Sequence, residues 1–337
     1  MLRASRFVLG AGTLFRSAGL LLSSVPRRFA WAEISVAERY EKLQMFPPLF
    51  SPPWPEQWFA PEFLDLVEAA QEHPNATYLV ESGLLTEEIE GVFSFPMFSS
   101  DFCDMFLQEL DNFYATKLPA RRPNSMNNYG IIVNEIGMKD AISAVQRIYI
   151  WPLASVLYPA EGSEFHNHHS FMVRYKAQED AGLDMHTDDS DVTLNVCLGR
   201  EGFEAAGLTF CGVMGTGAHR HLRHRYRHRI GRAVIHLGQV RHGADDIQGG
   251  ERNNLIIWNH NLAFRNSEAY QRRQLRYERE AGPPSPECLS YTHDKDWATY
   301  RGAYPPGKED LRNRGWCPPR GKEHIAPASS ASISRDL

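Results

Sequence analysis

The stretch that decides the fold begins at residue 171, ends at residue 199 and reads FMVRYKAQEDAGLDMHTDDSDVTLNVCLG. Apolar and polar residues follow a period of two over Phe171–Tyr175 and Val192–Leu198, which is the pattern of β-strands. Between these two runs lies a polar segment in which His186 and Asp188 are two residues apart. The stretch therefore predicts two strands joined by a polar connection.

The same period continues toward the C-terminus. Further strand-like runs cover Leu208–Val213, Ala233–Leu237 and Asn254–Trp258, and clusters of glycine and polar residues separate them. No helix of useful length fits between the runs, so a closed or sandwiched antiparallel arrangement is favoured over a βαβ sheet. We predict an α+β fold with a double-stranded β-helix (jelly-roll) core and supporting helices on its N-terminal side.

Helical periodicity appears only before residue 158. It predicts helices over Ser35–Leu43, Pro61–Gln71, Ser100–Tyr114, with Ser100 as N-cap, and Lys139–Leu157, bent at Pro152. The proline-rich segment Phe46–Pro55 is predicted to be a linker. The predicted regions are 1–32, a targeting or disordered segment; 33–90, a helical and linker region; 91–266, the main domain with its core over 170–260; and 267–337, an irregular tail.

Bulk properties exclude several partners. The 337 residues carry a formal net charge of −5, so neither nucleic acid nor an anionic membrane is the expected partner, and a small molecule or a protein substrate is favoured. No apolar run is long enough to predict a transmembrane segment.

Five cysteines without a C-x-x-C pair are predicted to be reduced thiols in an intracellular compartment. The first 32 residues contain five arginines and no acidic residue. They suit a mitochondrial targeting segment or an extension without an address better than a signal peptide, whose apolar run Arg16 would interrupt, so the expected location is cytoplasmic or mitochondrial.

His186 and Asp188 lie on the same face of an extended chain, where one metal ion can bridge them. The pair alone is a weak signal in a chain with 14 histidines. A third ligand, His242, follows the run Ala233–Leu237. Two imidazoles and one carboxylate leave open coordination positions, which suits non-haem iron(II) and dioxygen chemistry.

Arg252 follows His242 by ten residues, at the start of the next predicted strand. Its planar guanidinium matches a carboxylate through two hydrogen bonds, as needed to hold the far end of a dicarboxylic acid such as 2-oxoglutarate. Every second residue of this strand lies on the same face, and we predict that this face points inward. It carries Arg252, Asn254, Ile256 and Trp258.

The region from about Phe171 to Trp258 resembles the iron- and 2-oxoglutarate-dependent dioxygenase domains of the prolyl and lysyl hydroxylase families. The resemblance rests on five elements in matching order and spacing: Met172–Lys176, His186-x-Asp188, Thr193–Val196, His242 and Arg252. The run Arg122–Gly130, RPNSMNNYG, extends it to a narrower group within these families, from about Phe93 to Asn266.

The resemblance implies iron ligation by His186, Asp188 and His242, 2-oxoglutarate binding by Arg252, and supporting cofactor contacts from Tyr175 and Asn195. It implies an oxidoreductase that hydroxylates a protein side chain or a small molecule, releases succinate and CO2, and uses ascorbate as reductant. Two alternatives stay open: a catalytically inert binding module with this fold, and a cupin-like metal enzyme that does not use 2-oxoglutarate.

Two other histidine clusters are predicted to lie outside the metal site. The first cluster consists of His219, His221, His224 and His228. Because neighbouring arginines repel a cation, this cluster is expected to lie in a solvated loop or on an edge strand. The second is expected at the surface or at a cavity rim and consists of His166, His168 and His169.

Overall fold

The structure is a computed structural model, and it describes residues 34–200, 202–205, 207–213 and 224–280. The helices are α1 (Val36–Tyr40), α2 (Pro61–Glu72), α3 (Ala76–Glu81), α4 (Ser100–Ala115), α5 (Lys139–Val145), α6 (Trp151–Leu157), α7 (Leu262–Arg265) and α8 (Glu268–Glu280). The strands are β1 (Thr86–Ile89), β2 (Val92–Pro96), β3 (Gly130–Ile132), β4 (Asn167–Lys176), β5 (Leu183–His186), β6 (Val192–Gly199), β7 (Glu204–Ala205), β8 (Leu208–Val213), β9 (His224–Tyr226), β10 (Arg232–Leu237), β11 (Val240–Ala244), β12 (Ile247–Gly249) and β13 (Glu251–His260). The predicted α+β class is confirmed.

Two antiparallel sheets position the functional residues. The larger has the strand order β1-β2-β10-β6-β13-β4-β3, and the smaller has the order β5-β11-β8-β9. The side chains of β6 alternate between two environments: Leu194 and Val196 join the main hydrophobic core, whereas Thr193 and Asn195 line a cavity. Both faces of the larger sheet are therefore covered, which explains why β6 is buried along its whole length.

The main core lies between the larger sheet and the helices. It contains Phe63 of α2, Phe106 of α4 and Ile142 of α5 together with apolar residues of β6, β10 and β13. The predicted helix over Ser100–Tyr114 is confirmed, but its N-cap is Ser99, whose Oγ accepts a hydrogen bond from the Phe102 N–H.

The predicted bent helix over Lys139–Leu157 consists of α5 and α6 joined by a π-helical segment, Gln146–Ile150. The segment ends just before Pro152, which lacks the N–H that an α-helical hydrogen bond would require. The proline therefore explains the local change in helix geometry.

The proline-rich segment Phe46–Pro55 is not a linker. Prolines exclude an α-helix there, but they allow the 3-10 turn Pro47–Phe50. Leu49 and Trp54 are buried in the main core, and the Trp54 indole N–H donates to the Leu49 carbonyl at 3.0 Å. Burial of the tryptophan ring against Phe98 and Phe102 fixes the segment to the domain.

The tail predicted over 267–337 is not irregular throughout, because α8 occupies Glu268–Glu280. The Arg273 guanidinium pairs with Glu161 at 2.9 Å and lies over the Phe264 ring. Polar and cation–π contacts thus dock a helix that has no apolar stripe for periodicity to detect.

Cysteines differ from the expectation at one position. Cys103 and Cys197 are buried free thiols, and Cys288 and Cys317 lie outside the described residues. Cys211 is disulfide-bonded, so the expectation of a reduced thiol is wrong for this residue. No helix in the described part of the chain is long and apolar enough to cross a membrane.

Candidate metal centre

Three metal-ligating side chains meet where β5 and β11 pair. His186 ends β5 and lies opposite His242 of β11 as its cross-strand partner, and Asp188 follows two residues after His186. One ligand atom from each of the three side chains lies within 4.8 Å of the other two. The structure therefore brings together all three residues that the sequence predicted as ligands.

The orientation of the imidazoles suits metal binding. The Nδ1 of His242 lies 3.0 Å from the Val240 carbonyl, which can only accept, so Nδ1 carries the proton and Nε2 keeps its lone pair. The Nε2 of His242 lies 3.6 Å from Oδ2 of Asp188, and the Nε2 of His186 lies 3.4 Å from Oδ1. The free nitrogen of His242 thus faces the carboxylate.

Asp188 is held by its backbone and its side chain. Its N–H donates to the Gly238 carbonyl at 2.9 Å, and its Oδ2 accepts from the Thr193 hydroxyl at 2.6 Å. The Ser190 hydroxyl lies 2.7 Å from that of Thr193. Such supporting contacts orient a ligand and increase metal affinity.

Electrostatics keep the centre in a ligating protonation state. Burial opposes ionisation of Asp188, but the His242 imidazole and a hydrogen bond from His186 outweigh it and hold the pKa of Asp188 well below its ordinary value. Burial lowers the pKa of His242 to about 3, although Asp188 acts in the opposite direction. At neutral pH the aspartate is therefore a carboxylate and His242 a neutral imidazole.

The triad borders a cavity between the two sheets. Arg252 lies in its wall on β13, opposite Tyr175 of β4 as its cross-strand partner. The Arg252 guanidinium carbon is 4.6 Å from the centre of the Tyr175 ring. Ile256 and Trp258 also line the cavity, which confirms that this face of β13 points inward.

Asn195 lies in the cavity wall, as the sequence prediction required. Its Oδ1 accepts a hydrogen bond from Asn254 of β13, and the imidazole of His228 lies 3.5 Å from the same Asn254 amide. His228 is buried, and burial, followed by the charge of Arg252, holds its pKa well below the ordinary value. The prediction of a solvated loop is thus wrong for His228, because it packs behind the cavity wall.

The other histidines that were predicted to lie outside the metal site occupy different environments. His224 lies on β9, the edge strand of the smaller sheet, as expected, and His219 and His221 lie outside the described residues. His168 is buried and contacts the hydroxyls of Ser143 and Ser170, so its expected surface position is wrong.

Sequence reasoning missed several residues of the centre. Asn124 and Asn127 line the cavity, and the Asn127 amide donates to the Tyr175 hydroxyl at 3.4 Å. His236 is fully buried with its ring centre 4.5 Å from that of His242. The only available signals were the asparagines within Arg122–Gly130 and one histidine inside an apolar strand.

Comparisons with known proteins identify the family. An OGFOD2-like domain model matches residues 37–163. The chain is 37% identical over 242 residues to 2-oxoglutarate and iron-dependent oxygenase domain-containing protein 2 of Xenopus tropicalis. This alignment covers 69% of this chain and 68% of that protein. It is 35% identical over 231 residues to 2-oxoglutarate and iron-dependent oxygenase domain-containing protein ICU11 of Arabidopsis thaliana. This alignment covers 65% of this chain and 56% of that protein.

Among solved structures, the chain is similar to a prolyl hydroxylase from Trichoplax adhaerens in complex with a hypoxia inducible factor peptide fragment. The match has 13% identity and a TM-score of 0.42, and covers 64% of this chain and 100% of that one. The chain spans 56% and 68% of the two curated relatives named above. The predicted resemblance is confirmed, and the chain belongs to the family of 2-oxoglutarate and iron-dependent oxygenase domain-containing protein 2.

Proposed function

We propose that this chain is an iron(II)- and 2-oxoglutarate-dependent dioxygenase that hydroxylates a protein side chain or a small molecule and releases succinate and CO2. The observation that carries the proposal is the convergence of three ligand atoms within 4.8 Å beside a cavity that also contains Arg252. The names of its relatives, which specify iron and 2-oxoglutarate, agree with this assignment.

The fold supports the proposal through its strand order. From β4 to β13 the chain passes repeatedly between the larger sheet, which receives β4, β6, β10 and β13, and the smaller sheet, which receives β5, β8, β9 and β11. We assign this strand order to a double-stranded β-helix (jelly roll), because successive strands of these two sheets change sheet at every step except from β8 to β9, which both lie in the smaller sheet. The resulting space between the sheets is the cavity.

The ligands fit iron(II). Two imidazoles and one carboxylate form the facial arrangement that this metal adopts in non-haem oxygenases, with the remaining positions open to co-substrates. We assign His186, Asp188 and His242 as the residues that hold it. Bound iron would supply the oxidising power, whereas the chain binds, orients and shields the reactants.

For 2-oxoglutarate, we assign Arg252 to the carboxylate remote from the metal. Arg252 is only 1% exposed, and a guanidinium can donate two parallel hydrogen bonds to a carboxylate. Burial raises the pKa of Tyr175, which keeps its hydroxyl protonated and able to donate beside Arg252. We assign Asn195, whose side chain accepts a hydrogen bond from Asn254, to a contact with the same ligand from β6.

We expect residues 122–130 to contact the substrate, because Asn124 and Asn127 form part of the cavity wall. Ascorbate as reductant, the domain limits at 91 and 266, and an intracellular location remain predictions.

The convergence of three ligand atoms weighs against an inert binding module. The position of Arg252 in the cavity wall weighs against a metal enzyme that does not use 2-oxoglutarate.

The decisive experiment follows co-substrate turnover. Anaerobically purified protein receives iron(II), ascorbate and 2-oxoglutarate, oxygen is admitted, and succinate is measured with and without a cell extract as substrate source. Succinate that requires iron and rises with extract supports the proposal. No succinate above a metal-free control under either condition would contradict it.

A further inference from the structure

His236 contacts the metal centre from outside the cavity. It lies on β10, is 0% exposed, and its Nδ1 is 2.9 Å from the Leu237 carbonyl. Because a carbonyl can only accept, Nδ1 carries the proton and donates it. His236 therefore uses one ring nitrogen to fix the backbone at the turn between β10 and β11.

The ring of His236 also supports one proposed ligand directly. Its centre lies 4.5 Å from that of His242 at an interplanar angle of 63°. Phe210 contacts both rings, at 5.3 Å from His236 and 5.8 Å from His242. Rotation of the His242 ring away from Asp188 would therefore require displacement of two packed aromatic side chains.

The turn that His236 fixes supports a second ligand. Gly238, next to Leu237, accepts the Asp188 N–H at 2.9 Å and donates its own N–H to the Asp191 carbonyl at 3.2 Å. A Cβ atom at Gly238 would lie 2.2 Å from the Ser190 carbonyl oxygen. The turn thus packs directly against residues 188–191, and any shift in it moves the backbone of Asp188.

Stability alone does not explain a histidine at this position. The Nε2 of His236 is buried and has no hydrogen-bond partner among the described residues. A buried acceptor without a donor is unfavourable, so an apolar ring would satisfy packing better. What histidine adds over such a ring is the Nδ1 donor that reaches the Leu237 carbonyl.

We propose that His236 is a positioning residue that holds two iron ligands at once, His242 through ring contact and Asp188 through the turn at Leu237 and Gly238. This inference rests on the proposed function, since it assumes that these side chains bind the metal. It assigns the buried histidine of β10 to the metal centre without making it a ligand.

The test compares His236→Phe and His236→Ala with the matched control His168→Phe. His168 is also a buried strand histidine, but it contacts Ser143 of α5 and Ser170. Fe(II) affinity is measured by anaerobic equilibrium dialysis, Co(II) binding by its visible absorption spectrum, and folding by circular dichroism and Tm.

His236→Ala is expected to weaken Fe(II) binding about 10- to 100-fold, as loss of supporting contacts does at other metal sites. His236→Phe keeps the ring but loses the donor, so we expect a smaller loss and an altered Co(II) spectrum. His168→Phe is expected to lower Tm and leave both metal readouts unchanged.

Folded His236→Phe with Fe(II) affinity within twofold of wild type and an unchanged Co(II) spectrum would overturn the inference, even if His236→Ala failed to fold. A wild-type chain that binds no Fe(II) would instead refute the proposed function itself. The two failures are therefore distinguishable in one experiment.

Discussion

Replacement of Arg252 by alanine separates a 2-oxoglutarate enzyme from a metal site with another co-substrate. Arg252 is 1% exposed, and its guanidinium lies over the Tyr175 ring at 4.6 Å. In such a dry site, each charge-assisted hydrogen bond to a carboxylate contributes roughly 1.5 to 3 kcal/mol. Loss of one such bond corresponds to roughly 10- to 150-fold weaker 2-oxoglutarate binding.

The assay is titration of the anaerobic iron(II) protein with 2-oxoglutarate, followed by the visible charge-transfer absorbance of the complex. Iron(II) affinity should stay at the wild-type value, because Arg252 is not one of the three clustered ligands. Arg174→Ala is a matched control, since Arg174 neighbours Tyr175 on β4 but pairs with Glu179. Unchanged 2-oxoglutarate affinity in Arg252→Ala would refute the assignment of Arg252.

Three further predictions address the metal, pH and the N-terminus. Asp188→Ala is expected to abolish iron-dependent succinate formation while the circular dichroism spectrum stays native; wild-type turnover would disprove the ligand assignment. Burial lowers the pKa of His168 to about 4 from 6.5, so the folded state binds fewer protons than the unfolded state between these values. The free energy of unfolding should therefore fall as pH decreases from about 6.5 to about 4, and urea titrations should find this slope reduced in His168→Phe but not in an exposed control, His73→Phe. Deletion of residues 1–32 is expected to leave succinate formation unchanged, and loss of soluble, active protein would contradict that.

The fold was predictable where periodicity reflects a sheet with two buried faces. The long strands β4, β6 and β13 carry enough alternating apolar residues to be recognised. The short strands β5 and β11, which carry both metal-site histidines, were not among the predicted runs because four and five residues are too few for a period of two to be recognised. Pairing with a partner strand, rather than local preference, makes them strands.

The candidate site was predictable only in part. His186 and Asp188 were recognisable because their spacing of two has a direct geometric meaning on an extended chain. The contacts of Asn127 with Tyr175 join residues 48 positions apart, and those of His236 depend on the packing of β10 against β11. Such roles arise from tertiary packing, which one sequence does not encode as a local pattern.

The central claim is that iron(II) binds between His186, Asp188 and His242 while 2-oxoglutarate extends to Arg252. The most direct measurement is an anaerobic crystal structure with iron(II) and 2-oxoglutarate, with anomalous differences recorded at the iron edge. We predict one anomalous peak bounded by the Nε2 atoms of both histidines and the Asp188 carboxylate, with the remote carboxylate of 2-oxoglutarate paired to Arg252. An iron peak elsewhere, or a 2-oxoglutarate molecule directed away from Arg252, would contradict the account.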